Sequence, residues 1–278
     1  MRCAAKCQFS AAEVILTEMR APAVILSIVV SCASGSFCRA QLNVLSEQER
    51  LAGWELLFDG QTAKGWRSPF SEQFPNESWA VEDECIHSIV GGRRWRDLRS
   101  SGVYKDFELS FEWKISSGGN SGVKYSVGSF LKAGVFDKGR FIGVEGEVEP
   151  GPNAIIVEPA HGFEYQLIDD QRHPDKDHPN TRSGSLYQVV GPSQEVVKPA
   201  GQFNQSRVVA NGRQIEHWLN GVKVVAISLD SEEFKEAWAK TPKRMQEALP
   251  FRNQEFPVAL QHHGDAVWFR SIKIRRIP

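Results

Sequence analysis

From Phe107 to Ile115 the chain reads FELSFEWKI, in which Phe107, Leu109, Phe111, Trp113 and Ile115 alternate without exception with Glu108, Ser110, Glu112 and Lys114. Strict alternation matches the two-residue period of a strand, with one face buried and the other polar. A strand of that kind needs partners and a second layer. QSRVVANGRQIEHWLNGVKVVAISLD supplies three more strand-like runs, separated by Asn211-Gly212 and Asn220-Gly221. Both dipeptides tolerate positive φ and suit two-residue type I′ turns, so this stretch is expected to be an antiparallel meander. PVALQHH, a turn at Gly264-Asp265 and VWFRSIKIRRI repeat the pattern at the C-terminus.

Helices are few. Ser46 suits the N-cap of a short helix to Ala52, and Ser231 can cap SEEFKEAWAK, where Glu232 and Glu233 favour the first turn and Phe234 and Trp238 share a face. Many short antiparallel strands without βαβ alternation predict an all-β sandwich of two antiparallel sheets. Gly128 to Ala160, rich in Gly, Glu and Pro, is expected to be an elaborated loop, a type of element that often walls a site. With 24% charged residues, 41% hydrophobic residues and a formal net charge of -1, the chain has no electrostatic footprint for a polyanion, and nucleic acid is excluded as an expected partner.

The N-terminus has the layout of a secretory signal peptide. After Met19 come Arg20, an apolar stretch from Ala21 to Val30, and small residues ending in Cys38-Arg39-Ala40. The apolar run is too short for a comfortable membrane span. Residues 1–40 are thus expected to be removed, translation starting at Met1 or at Met19, and residues 41–278 to form a single exported domain, periplasmic or extracellular. A second reading takes Val29-Val30-Ser31-Cys32 as resembling a bacterial lipobox, with Cys32 carrying a lipid that tethers the domain. Removal leaves Cys85 as the lone thiol, so the domain is held by its core and not by an internal disulfide.

WELLFDGQTAKGW, WAVEDECI, YKDFELSFEWKISSGGNSGVKY, GFEYQLID, SGSLYQVV, WLNGVKVV and ALQHHGDAVWFRSIKIR follow one another between residues 54 and 275. In this order they resemble the 3-keto-disaccharide hydrolase domain family, DUF1080. The resemblance implies a concanavalin-like jelly-roll sandwich, export, and hydrolysis of glycosides already oxidised to a ketone at C3. The sequence departs from the short family pattern in its insertion between Tyr125 and Gly162 and in Cys85, where a hydrophobic residue is usual.

That chemistry makes sense of GFEYQLIDDQRHPD. A ketone at C3 acidifies the hydrogen on C2, so a base can remove it, and the enolate can expel the C1 substituent before water adds back. The site needs a base, a group for the enolate oxygen and an acid for the leaving group. Glu164 and Gln166 project to one side of a strand, and Asp169 joins them if the chain bulges. Glu164 is assigned as base, Asp169 as orienting a partner, and Gln166 as a substrate-binding amide. Alternation places Gln261 and His263 on one face and His262 on the other, which makes His263 the site histidine, suited to polarise a carbonyl or relay a proton. Asn120, Tyr187, Gln261 and Arg270 complete the expected sugar contacts. His173 and Asp175, in a polar loop, are candidate ligands for a divalent metal, although their spacing matches no named motif.

Two rival readings use the same face. A non-catalytic, lectin-like module would bind a glycan there, whereas a jelly-roll endoglucanase would need paired carboxylates. The spacing Glu-x-Gln-x-x-Asp loosely resembles the Glu-x-Asp-x-x-Glu of jelly-roll β-glucanases, but Gln166 replaces the central acid and disfavours that mechanism.

Overall fold

The computed structural model describes residues 42–69, 71–91, 96–129, 133–137, 140–144, 154–156, 161–242, 246 and 254–278. The signal-peptide and Cys32 readings fall outside these residues. In chain order the strands are β1 (Trp54–Leu56), β2 (Trp66–Arg67), β3 (Trp79–Glu82), β4 (Cys85–Ser88), β5 (Leu98–Ser100), β6 (Phe107–Ile115), β7 (Asn120–Ser129), β8 (Ala133–Asp137), β9 (Arg140–Val144) and β10 (Ala154–Ile156). They continue with β11 (His161–Ile168), β12 (Asn204–Asn211), β13 (Gln214–Leu219), β14 (Val222–Ser228), β15 (Ala259–Leu260) and β16 (Val267–Arg276). Two α-helices are described, α1 (Glu47–Leu51) and α2 (Glu232–Ala239).

The expected two-sheet architecture is present. One sheet runs β14-β13-β12-β6-β16-β4-β3 with β1 added beside β16, and the other runs β11-β7-β15-β5-β2. Every pairing in both is antiparallel. Phe107, Leu109, Phe111, Trp113 and Ile115 of β6 are buried against Val123 and Tyr125 of β7 and Phe163, Tyr165 and Leu167 of β11, each strand contributing alternate residues to one core. A polar chain crosses this core. Trp113 Nε1 donates to Ser206 Oγ (2.8 Å), Ser206 Oγ to the Tyr165 hydroxyl (2.9 Å), and that hydroxyl to the Trp218 carbonyl (3.0 Å). Each buried donor thereby finds an acceptor, which fixes how the sheets face one another.

Local details follow their residues. Ser46 and Glu49 form a capping box at α1, and Ser231 Oγ accepts from the Phe234 amide (3.1 Å) at α2. Phe234 and Trp238 stack at 5.7 Å and both pack on Phe163 at 6.3 Å, which closes one end of the core. The β13–β14 hairpin turns on Asn220 (φ 49°) and Gly221 (φ 85°), as type I′ requires. The β12–β13 turn differs from expectation. Asn211 stays in the ladder opposite Gln214, so the loop is Gly212-Arg213 and only Gly212 (φ 53°) is left-handed, the pattern of type II′.

The stretch from Gly128 to Ala160 is not a plain loop. Its described parts include β8, β9 and β10, which pair antiparallel in a separate small sheet. The Gly- and Pro-rich composition obscured three short runs, AGVFD, RFIGV and AII, whose apolar content is too brief to register as strands.

Candidate functional site

The five-stranded sheet has one face in the core and one polar face. The unbroken register from Phe163 to Ile168 against β7 sets Glu164 opposite Lys124 and Gln166 opposite Gly122. Lys124 in turn pairs with Ala259, and Ala259 with Arg99. On the far side of β11, Tyr165 pairs with Leu186, the Tyr187 amide donates to the Glu164 carbonyl (3.0 Å) and the Gln166 amide to the Ser185 carbonyl (3.2 Å). One row across the sheet therefore reads Tyr187, Glu164, Lys124, Ala259 and Arg99. The next reads Ser185, Gln166 and Gly122, and Gln261 continues it because its amide donates to the Gly122 carbonyl (2.8 Å).

Glu164 stands at the centre. Its carboxylate lies over Gly122, where any Cβ would collide with Oε1, and Gln261 Nε2 donates to its Oε2 (3.4 Å). Burial pushes the carboxyl up to about 7; Lys124 and the Gln261 hydrogen bond pull it down, whereas the negative charges of Asp97 and Asp175 push it up. Lys124 gives limited help because it is itself paired. Its Nζ donates to Asp97 Oδ2 (2.8 Å), and the Asp97 Oδ1 accepts from the His262 amide (3.1 Å), with Lys124 and Asp97 only 2% and 3% exposed.

Asn120, at the start of β7, brings a histidine to this face. The amide terminus of Asn120 lies 3.3 Å from His173 Nε2, while His173 Nδ1 accepts from the Asp175 amide (3.1 Å). Asp265 fixes Asn120 in turn, its Oδ2 accepting from the Asn120 amide (3.0 Å). Buried polar atoms without a partner gather on this same face: both side-chain polar atoms of Gln166, Asn120 Oδ1, Gln261 Oε1 and Ser185 Oγ. Such groups are rare in folded cores, and their clustering marks a surface that receives hydrogen bonds from a ligand or solvent.

Glu164, Gln166, Asn120, Gln261 and Tyr187 are thus brought together. Tyr187 is half-buried, and its hydroxyl accepts from Gln188 Nε2 (3.2 Å). His263 is half-buried two residues beyond Gln261, whereas His262 is buried, its rings T-shaped at 5.6 Å to Trp79 and its Nδ1 accepting from the Gly264 amide (3.1 Å). Asp169 does not share the face. The ladder shows no bulge between Glu164 and Ile168, and the Asp169 carboxylate accepts from the backbone amides of Gly118 (2.8 Å) and Gln171 (3.0 Å), so it shapes a turn. Arg270 is also elsewhere. It lies on the outward face of the eight-stranded sheet, paired with Glu112 (2.8 Å) and stacked 3.6 Å over the Phe203 ring. Two residues after Trp268 does place it on one face with Trp268, but that face points away from the core. His173 and Asp175 do lie side by side, yet no group of three or more His, Cys, Asp or Glu among the described residues could hold a metal ion. Lys124 and Asp97 were missed in the sequence. The lysine in NSGVKYS alternates with Val123 and Tyr125, a signal for the polar face, but nothing local links it to Asp97.

A family profile described as 3-keto-alpha-glucoside-1,2-lyase-like domain matches residues 53–275. The chain belongs to this family. A 3-keto-disaccharide hydrolase from Bacteroides thetaiotaomicron is 29% identical over 264 residues, which cover 87% of this chain and 84% of that one. A crystal structure from Parabacteroides distasonis, provisionally described as a glycosyl hydrolase, superposes with a TM-score of 0.67 at 27% identity and covers 86% of this chain and 100% of its own. A second structure from the same organism, with the same description, shares the fold with a TM-score of 0.53 at 18% identity, over 81% of this chain and 84% of its own. The 3-keto-alpha-glucoside-1,2-lyase-like chain thus carries its family's span from just before β1 to the penultimate residue of β16. No helix among the described residues is long and apolar enough to cross a membrane.

Proposed function

We propose that the polar face around Glu164 cleaves glycosides whose sugar carries a ketone at C3. The carrying observation is the Glu164 carboxyl, half-buried and held at about 7 by burial, since a base poised near neutrality is what proton abstraction beside a ketone needs. Glu164 takes the C2 proton, and the electron pair delocalises onto the C3 oxygen. As the ketone re-forms, a C1=C2 double bond forms and the C1–O bond breaks, its electrons leaving with the departing alcohol. Water then adds hydroxide to C1, and Glu164 returns a proton to C2, so the net change is hydrolysis. Asn120, Gln261 and Tyr187 hold sugar hydroxyls, and His263 relays the proton the leaving alcohol needs. The names of the family and of the Bacteroides relative support the substrate class. The same reading takes the chain as exported after loss of residues 1–40.

The test is release of reducing sugar by the purified protein from 3-keto-trehalose beside unmodified trehalose, with and without a chelator. Cleavage of the keto sugar alone supports the reading. Binding of either sugar without cleavage would sink it in favour of a lectin-like module, and cleavage of trehalose itself in favour of direct glycosidic hydrolysis. Loss of activity with chelator would assign a metal to the reaction.

A further inference from the structure

Two residues beyond Glu164, on the same strand and face, Gln166 is 1% exposed, and neither its amide oxygen nor its nitrogen has a hydrogen-bond partner. Its ladder neighbour on one side is Gly122, which offers no side chain, and on the other side Ser185, whose buried hydroxyl is also unpartnered. The neighbouring donors near Glu164 each already make one hydrogen bond. Gln261 Nε2 donates to the Glu164 carboxylate (3.4 Å), the Asn120 terminus meets His173 (3.3 Å), and the Lys124 ammonium is held by Asp97 (2.8 Å). A donor whose hydrogen bond is unmade until the substrate arrives can give its full strength to charge that develops later.

We propose that Gln166 is a catalytic residue whose amide N–H binds the ketone oxygen and stabilises the charge collecting there as Glu164 removes the neighbouring proton. The inference rests on the enolisation reading of this site. Residues two apart on a strand are roughly 7 Å apart along one face. A carboxylate oxygen about 3 Å from C2, the C2–C3 and C3=O bonds, and an N–H···O contact of about 3 Å fill that span with a bend. An amide also suits the step better than an acid. It donates without giving up its proton, so the intermediate stays an enolate able to expel the C1 substituent and is not trapped as the enol. A carboxylate in its place would meet the forming oxyanion with like charge.

The experiment follows hydrogen–deuterium exchange at C2 of a 3-keto-glucoside in heavy water, together with its cleavage, for wild type, Gln166→Met and Gln166→Glu. Gln166→Met is expected to keep KM within a few-fold and to lose roughly 100- to 1,000-fold in both exchange and kcat. Gln166→Glu, nearly the same shape, is expected to give a lower, narrower bell-shaped pH profile, because activity then needs Glu164 ionised and the new carboxyl protonated at once. Exchange by Gln166→Met within threefold of wild type, a raised KM at unchanged kcat, or a Gln166→Glu profile identical in shape to wild type would each overturn the assignment. Absence of C2 exchange by wild type on a substrate it binds would sink the enolisation reading, and this assignment with it, before any variant is compared.

Discussion

Gly122 lies directly beneath the Glu164 carboxylate, in space that a Cβ at position 122 would share with Oε1. The two are neighbours diagonally across the β7–β11 ladder, since Gly122 pairs with Gln166 and Lys124 with Glu164. Because Gly122 has no positive φ, the glycine serves the close approach and not the backbone. Gly122→Ala is therefore expected to fold, to displace the carboxylate, and to lose roughly a hundredfold in kcat on a 3-keto glycoside. Melting temperature and single-turnover rates together check this, and an alanine variant of full activity would remove Glu164 from the role of base.

Glu164→Gln should separate stability from catalysis. A carboxyl raised from 4.5 to about 7 binds its proton more tightly folded than unfolded, so its burial weakens the fold as pH rises through that window and by a constant amount above it. The amide removes that penalty, which is ~3 kcal/mol at most before solvent screening. The expected result is a higher melting temperature at pH 7.5, little change at pH 4, and cleavage reduced roughly a thousandfold. A melting temperature that falls at both pH values would contradict the shift.

His217 gives the opposite slope. Buried between the sheets, its Nδ1–H donates to the Gly184 carbonyl (3.0 Å) and its Nε2 accepts from the Tyr125 hydroxyl (2.8 Å), and burial pulls it down to about 4. The unfolded chain then binds the proton first as pH falls below 6.5, so stability is full above that value, declines toward about 4 and levels off below. In wild type the Glu164 and His217 slopes offset one another over much of this range. Denaturant midpoints of Glu164→Gln should consequently rise with pH from 4 to 6.5 more steeply than those of wild type, and Glu164→Gln combined with His217→Gln should be flatter again.

The Lys124–Asp97 pair is buried and isolated from water. Lys124→Met leaves Asp97 as an unpaired interior charge and is expected to cost about 3–5 kcal/mol, most of which the double variant Lys124→Met, Asp97→Leu recovers. Loss of the lysine also removes a charge that lowers Glu164, so residual activity should shift to higher pH. Urea denaturation of the four combinations measures the coupling, and purely additive effects would show that the two charges do not depend on one another.

Much of this arrangement is legible in the chain because a sheet writes its faces in alternation. FELSFEWKI and GFEYQLID each declare which residues enter the core, and Glu164 and Gln166 follow from parity alone. Asp169 shows where parity stops helping, since whether a bulge occurs depends on the partner strand and not on local sequence. Arg270 shows a second limit. Its alternation with Phe269 was readable, but which of two sheets β16 would join was not, and that choice decides whether its polar side faces the site or the solvent. Lys124 and Asp97 meet only because β15 brings β5 and β7 into one sheet. The β8–β10 sheet escaped because its strands are too short for periodicity to accumulate.

The excursion that carries β8, β9 and β10 leaves the ladder at Ser129 and re-enters it at His161, and these two residues are themselves a paired step of β7 and β11. Its two attachment points are thus one rung of a hairpin, about 5 Å apart. A segment anchored in this way behaves as a cassette. It can lengthen, shorten or be exchanged without changing the register that aligns Glu164 with Lys124.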